Sequence, residues 1–254
     1  MAANRTFIGI DGCRAGWFCV MLDAGDNWSF HVAPDARAVG ELSLAADSVL
    51  IDIPIGLPDS GCEGRLCDRE ARRLLRPGRA ASVFSAPARR TLDAAGYPQA
   101  LDLNRQATGR GLSRQAWNIV PKIRDIDALL GSNGALRGVL RESHPELCFW
   151  ALNGQRAMHD NKKQREGQQE RLRVLERYFP QCHALFEQAC TGYLRREVAR
   201  DDIIDAMVCA VTAKLGYGNY RTVPATPVSD GKGLAMEIVY STLGKKPVET
   251  PRRA

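Results

Sequence analysis

The hydrophobic pattern opens with two short apolar runs. Thr6-Phe-Ile-Gly-Ile-Asp11 ends in an acid, a turn carrying Gly12 and Gly16 follows, and Trp17-Phe-Cys-Val-Met-Leu22 makes the second run. Runs of this length and composition, separated by glycine, read as two strands of a hairpin. A third strand over Trp28–Val32 completes a meander, and residues 35–44 have the composition of a first helix. Val49-Leu-Ile-Asp-Ile-Pro-Ile55 is apolar at nearly every position, as suits a strand covered on both faces. Pro54 has no N–H to give a ladder, so pairing is expected to stop just after Asp52.

From residue 59 to about 134 the pattern changes to Arg-rich helix and loop, punctuated by Pro77, Gly78, Pro87, Gly96 and Pro98. This stretch reads as a helical insertion. Strand character returns over residues 137–142, and Ser143-His-Pro-Glu146 then has the form of a capping box with an early helical proline. Residues 162–179 predict a charged surface helix, residues 201–215 a buried one, and the tail after Gly244 is expected to fray. The order β-β-β-α-β, insertion, β, helices predicts an α/β fold. It is a mixed β-sheet flanked by helices, in one domain over residues 1–254 with the basic helical insertion inside it.

Composition narrows the class. Of 254 residues, 44% are hydrophobic and 25% charged, which is ordinary for a globular protein and argues against a disordered or fibrous chain. The N-terminus has no signal-peptide pattern and no apolar run reaches membrane-spanning length, so no membrane partner is expected. Eight cysteines without a single Cys-x-x-Cys pair fit reduced thiols and a cytoplasmic location, and Cys62 with Cys67 is a weak zinc spacing. The net charge of +6 is unevenly placed: residues 62–124 hold 13 lysines and arginines against 5 acids. Basic charge concentrated in one segment favours a polyanionic partner, with a solvated face as the plain alternative. Nothing in the sequence decides between a monomer and a homodimer.

Candidate chemistry sits in acids placed among apolar residues: Asp11 and Asp52 near strand ends, Glu142 at the end of a later strand, and Asp202 with Asp205 at the start of the last buried helix. A carboxylate in a core is costly unless paired or metal-bound, so several together suggest a shared cation site. On the last helix, Asp202, Asp205, Ala206, Cys209 and Ala213 share one small-residue face. Capping explains Asp201 or Asp202 but not Asp205. Hard oxygen ligands suit Mg²⁺ or Mn²⁺, and two such ions about 3.5–4 Å apart would serve phosphodiester cleavage, with Asp11 bridging them. Glu41 on the first helix could also point inward.

For phosphate binding, Arg65, Arg69, Arg72 and Arg76 fall within about 60° on a helical wheel, opposite Cys67, Ala71, Leu74 and Leu75. Lys122, Arg124, Lys162 and Lys163 are further candidates. Phe84, Tyr97 and Trp117 could stack on bases, although core packing explains them as well. His144 could position a water beside Glu142, against a purely structural role at a strand-to-helix turn. Glu146 is assigned to the helix terminus.

At these positions the sequence resembles a family of predicted ribonuclease-H-like nucleases, a domain of unknown function of bacteria and archaea. The resemblance runs close to full length. It rests on Ile8-Gly-Ile-Asp-Gly-Cys-Arg-Ala-Gly-Trp17, Ile51-Asp-Ile-Pro-Ile-Gly-Leu-Pro58, Cys67-Asp-Arg-Glu-Ala-Arg72, Ser82-Val-Phe-Ser-Ala-Pro87, Pro121-Lys-Ile-Arg124, Glu142-Ser-His-Pro-Glu-Leu-Cys-Phe149 and Asp201-Asp-Ile-Ile-Asp-Ala206. It implies a ribonuclease-H-like fold in which acids of the first strand, the fourth strand and the last helix converge on metal ions, here Asp11, Asp52 and Asp202 or Asp205. Glu142 departs from that pattern. The last-helix Asp-x-x-Asp-Ala is also similar to Holliday-junction resolvases, which adds branched DNA to DNA and RNA as substrates.

The function expected is therefore a Mg²⁺- or Mn²⁺-dependent nuclease acting on DNA or RNA. Two alternatives stand beside it. One is a non-catalytic nucleic-acid or protein-binding module of the same fold; the other is an ATP-dependent phosphotransferase of the actin and sugar-kinase type, which would normally need a second such domain.

Overall fold

The computed structural model describes residues 5–242, so the expected fraying after Gly244 lies outside the described residues. Strands β1 (Thr6–Cys13), β2 (Gly16–Asp23) and β3 (Trp28–Ala33) form the expected meander. Asp35 caps the helix α1 (Ala36–Leu44) by accepting from the Ala38 N–H at 2.9 Å, and β4 (Ser48–Ile51) follows. The strand ends at Ile51 and Asp52 still donates its N–H to Ile10 O at 2.9 Å, so pairing stops at Asp52, as Pro54 predicts.

The inserted stretch holds α2 (Leu66–Leu74), α3 (Tyr97–Thr108) and the long α4 (Arg114–Ser132), with Pro98 at the start of α3 and Gly109 in the left-handed conformation at its end. Both are the residues those helix positions favour. Strand β5 (Leu140–Glu142) is shorter than expected because residues 134–138 form a 3₁₀ turn. Then come α5 (Pro145–Leu152), α6 (Arg165–Glu176), α7 (Cys182–Gly192) and α8 (Arg200–Gly216). A hairpin that the sequence pattern did not reveal, β6 (Arg221–Ser229) and β7 (Ala235–Tyr240), follows α8. No described helix is long and apolar enough to cross a membrane.

The main sheet has the order β3-β2-β1-β4-β5, antiparallel across the meander and parallel from β1 through β4 to β5. Side chains alternate between its faces. Phe7, Phe18, Val20, Leu22 and Leu50 pack under α8 and its neighbours, whereas Ile8, Ile10, Val49 and Ile51 pack on the other face with Val39 of α1 and Ile123, Ile126 and Leu130 of α4. That two-sided burial is why the central strands read as unbroken apolar runs.

Helix α8 lies directly on β1 at Gly9. A Cβ built there would stand 2.1 Å from both Ala206 O and Ala210 N, so only glycine lets strand and helix approach so closely. The hairpin is tied to the sheet side by Ser143, whose hydroxyl donates to Val239 O at 2.8 Å. Arg89 clamps the hairpin turn to α4 through ion pairs to Asp230 and Asp127.

Candidate metal centre

Alternation along β1 places Asp11 on the same face as Phe7 and Gly9, and alternation past β4 places Asp52 on the face of Leu50. The parallel register sets Ile10 opposite Ile51, so the two acids emerge side by side beneath α8. The close approach at Gly9 then brings Asp205, one residue before Ala206, onto the pair. Asp11, Asp52 and Asp205 each offer a carboxylate oxygen within 4.8 Å of the others.

Burial penalises the charged form of all three. It raises the Asp11 carboxyl well above its usual range, with Asp52, Asp202 and Asp205 adding to the rise. Asp52 is raised chiefly by burial, with His144 and Lys162 opposing. Burial pushes Asp205 up to about 7 against the pull of Lys162. Asp205 is 1% exposed, its Oδ2 accepts from the Lys162 ammonium, and its Oδ1 is buried with no hydrogen-bond partner.

These residues fit a divalent cation. Around Mg²⁺, with each bond about 2.1 Å, opposite oxygens stand about 4.2 Å apart and adjacent ones about 3 Å, so a trio within 4.8 Å would close by up to about 2 Å. A free buried carboxylate oxygen is the atom such an ion would satisfy.

Asp11 and Asp52, with Asp205 buried behind them, line a cleft of about 500 Å³ together with Phe84, Gln115, Asn118, Lys122, His144 and Lys163. Lys122 donates to Gly16 O at 2.5 Å and lies over the Trp17 ring, 4.3 Å from its centroid, and burial lowers its pKa. His144 Nε2 is 3.4 Å from Ser82 O, while its Nδ1 is buried and unpartnered.

Other expected residues take different positions. Asp202 stands at the edge of the trio, where its Oδ2 accepts from the Ala199 N–H at 2.9 Å at the start of α8, and burial raises it to about 6. Glu142 follows Leu140, which packs with Val49 and Ile51, so its side chain leaves the sheet on the face opposite Asp11. There it receives Arg65 Nη1 at 2.6 Å and Nη2 at 2.8 Å, together with the Ile55 N–H at 2.6 Å. Asp68 shares the same guanidinium, closing a buried triad in the cleft wall. Glu142 is thus an ion-pair partner outside the carboxylate trio.

The four arginines do not form one exposed face. Arg65 precedes α2 with an extended backbone, so the helical wheel does not govern it, and it is 3% exposed. Arg69 pairs with Glu63, Arg72 donates to Val83 O and Ser85 Oγ at 2.8 Å each, and Arg76 lies past the helix end. Glu41 is exposed and pairs with Arg37. Tyr97 and Trp117 pack against each other with centroids 6.3 Å apart, leaving Phe84 as the cleft aromatic of the three.

Two features escaped the sequence reading. Glu146 forms no capping box, because the Ser143 hydroxyl is spent on Val239 O; Glu146 instead pairs with the fully buried Arg171 and lines the cleft. Lys162 enters from the segment between α5 and α6, where no local pattern marks it as the partner of Asp205.

Comparison with curated proteins and with solved structures gave no match. A family model described as "Protein of unknown function (DUF429)" matches residues 9–229, which run from within β1 to the end of β6 and so include all three acids, and the chain belongs to that family.

Proposed function

We propose that this chain is a nuclease with a ribonuclease-H-like fold that hydrolyses phosphodiester bonds of DNA or RNA with Mg²⁺ or Mn²⁺. The observation that carries the reading is the meeting of Asp11, Asp52 and Asp205 from three separate elements at the base of a cleft that also carries Lys122, Lys162 and Lys163. The sheet order and the origin of the acids in the first strand, the end of the fourth and the last long helix support the fold reading.

Asp11, Asp52 and Asp205 would hold the cation. A bound divalent ion supplies Lewis-acid polarisation of the phosphoryl oxygen and a water acidic enough to attack near neutral pH. Around it, Lys122 and Lys163 supply positive charge where the phosphate backbone enters, and Phe84 offers a ring to a base. His144, which lines the same cleft as Asp52, would help to position the attacking water.

The test is a panel of labelled single-stranded and duplex DNA, RNA, hybrid duplex and four-way junction, incubated with Mn²⁺ or Mg²⁺ and with EDTA. Metal-dependent cleavage of at least one member, lost in Asp11→Asn, is expected. Failure to cut any member by protein that binds Mn²⁺ would remove the nuclease reading. The Lys162–Asp205 pair favours one second reading, a non-catalytic nucleic-acid-binding module whose acids are neutralised internally. Metal-independent, salt-sensitive binding without turnover would select it.

A further inference from the structure

We propose that the Asp11–Asp52–Asp205 centre takes a single divalent cation, with the Lys162 ammonium serving as its second positive charge in place of a second metal ion. The inference rests on the metal-dependent reading above and specifies how many ions that site accepts.

Neighbouring buried groups already have partners of their own. Arg171, 0% exposed, pairs with Glu146; Arg65 pairs with both Asp68 and Glu142; and Asp202 is engaged by the Ala199 N–H. Lys122 is turned toward Gly16 O and the Trp17 ring. Three carboxylates then face one ammonium. Asp202 and Lys122, at the edge, oppose one another in charge, so among the trio and Lys162 one divalent ion brings the sum to zero and a second would leave two positive charges, which is costly in a buried site.

Ligand supply points the same way. Lys162 occupies Asp205 Oδ2, leaving the unpartnered Oδ1 for a cation shared with Asp11 and Asp52. Glu146 Oε2 is also buried and unpartnered, but its carboxylate is balanced by Arg171. At 34% side-chain exposure the lysine also reaches the cleft, where its ammonium can meet a phosphate oxygen while still bound to Asp205.

The experiment is a Mn²⁺ titration by calorimetry, with anomalous scattering from Mn²⁺-soaked crystals, on the full chain and on Lys162→Met and Lys162→Arg. The native protein is expected to bind one ion, with Lys162 still on Asp205. Lys162→Met should bind a second ion or hold the first at least about tenfold more tightly, having lost a competing cation. Lys162→Arg, which keeps the charge if Lys162→Met does not fold, should remain at one ion.

Two ions in the native protein, with Lys162 expelled from Asp205, would overturn the inference and leave the metal-dependent reading standing. One ion held with equal affinity by the native protein and Lys162→Met would likewise overturn the lysine's part. No binding to any form at about 1 mM Mn²⁺, the weak end of protein sites for divalent ions, would remove both.

Discussion

Gly9 of β1 and Ala206 of α8 touch backbone to backbone, and this contact sets the depth at which Asp205 meets Asp11. Replacing Gly9 with alanine would set a methyl group against main-chain atoms that cannot turn aside. Gly9→Ala is expected to cost about 3 kcal/mol or more, read as a lower midpoint in chemical denaturation. A change below about 0.5 kcal/mol would show that the helix can lift off the strand.

Asp11→Asn separates chemistry from stability. It removes one charge from a crowded site, so cleavage should fall by at least about 100-fold while the metal-free protein becomes more stable, not less. A thermal melt in EDTA and a cleavage assay in Mn²⁺ on the same preparation test both halves.

The pH dependence has a definite sign. Folding raises the carboxyls of Asp11, Asp52, Asp202 and Asp205, the last to about 7, above the usual value of 3.8. Between those limits the folded chain binds more protons than the unfolded one, so their contribution to stability is full below about pH 4 and is lost as pH rises through about 7. Added Mg²⁺ should therefore raise Tm strongly at pH 8 and little at pH 5. An equal rise at both would mean that these carboxyls do not take up protons on folding.

Breaking the Arg65–Glu142 pair leaves an uncompensated charge in the cleft wall. Arg65→Met should destabilise by about 3–5 kcal/mol, and adding Glu142→Leu should restore only part of that loss, because Asp68 stays buried without the guanidinium. Denaturation of the two single variants and the double variant measures the coupling directly.

The acids at positions 11, 52 and 205 were legible because each interrupts an apolar stretch, a local signal. Glu142 interrupts one too, but which face it takes depends on where β5 begins, and the 3₁₀ turn over residues 134–138 sets that. Arg65 fell on the wheel of its arginine neighbours because spacing alone does not mark where a helix starts. Pro224, Pro227 and long exposed stretches hid β6. Lys162 lies in a connecting segment, and its place beside Asp205 comes from tertiary packing that no short window of sequence contains.

Because one acid lies at position 11 and another at position 205, the centre spans nearly the whole chain. During synthesis, the meander and β4 leave the ribosome long before α8 does, so the first two acids wait without their third. The three-acid centre therefore cannot assemble on a half-made copy and completes only when almost the whole chain has been synthesised.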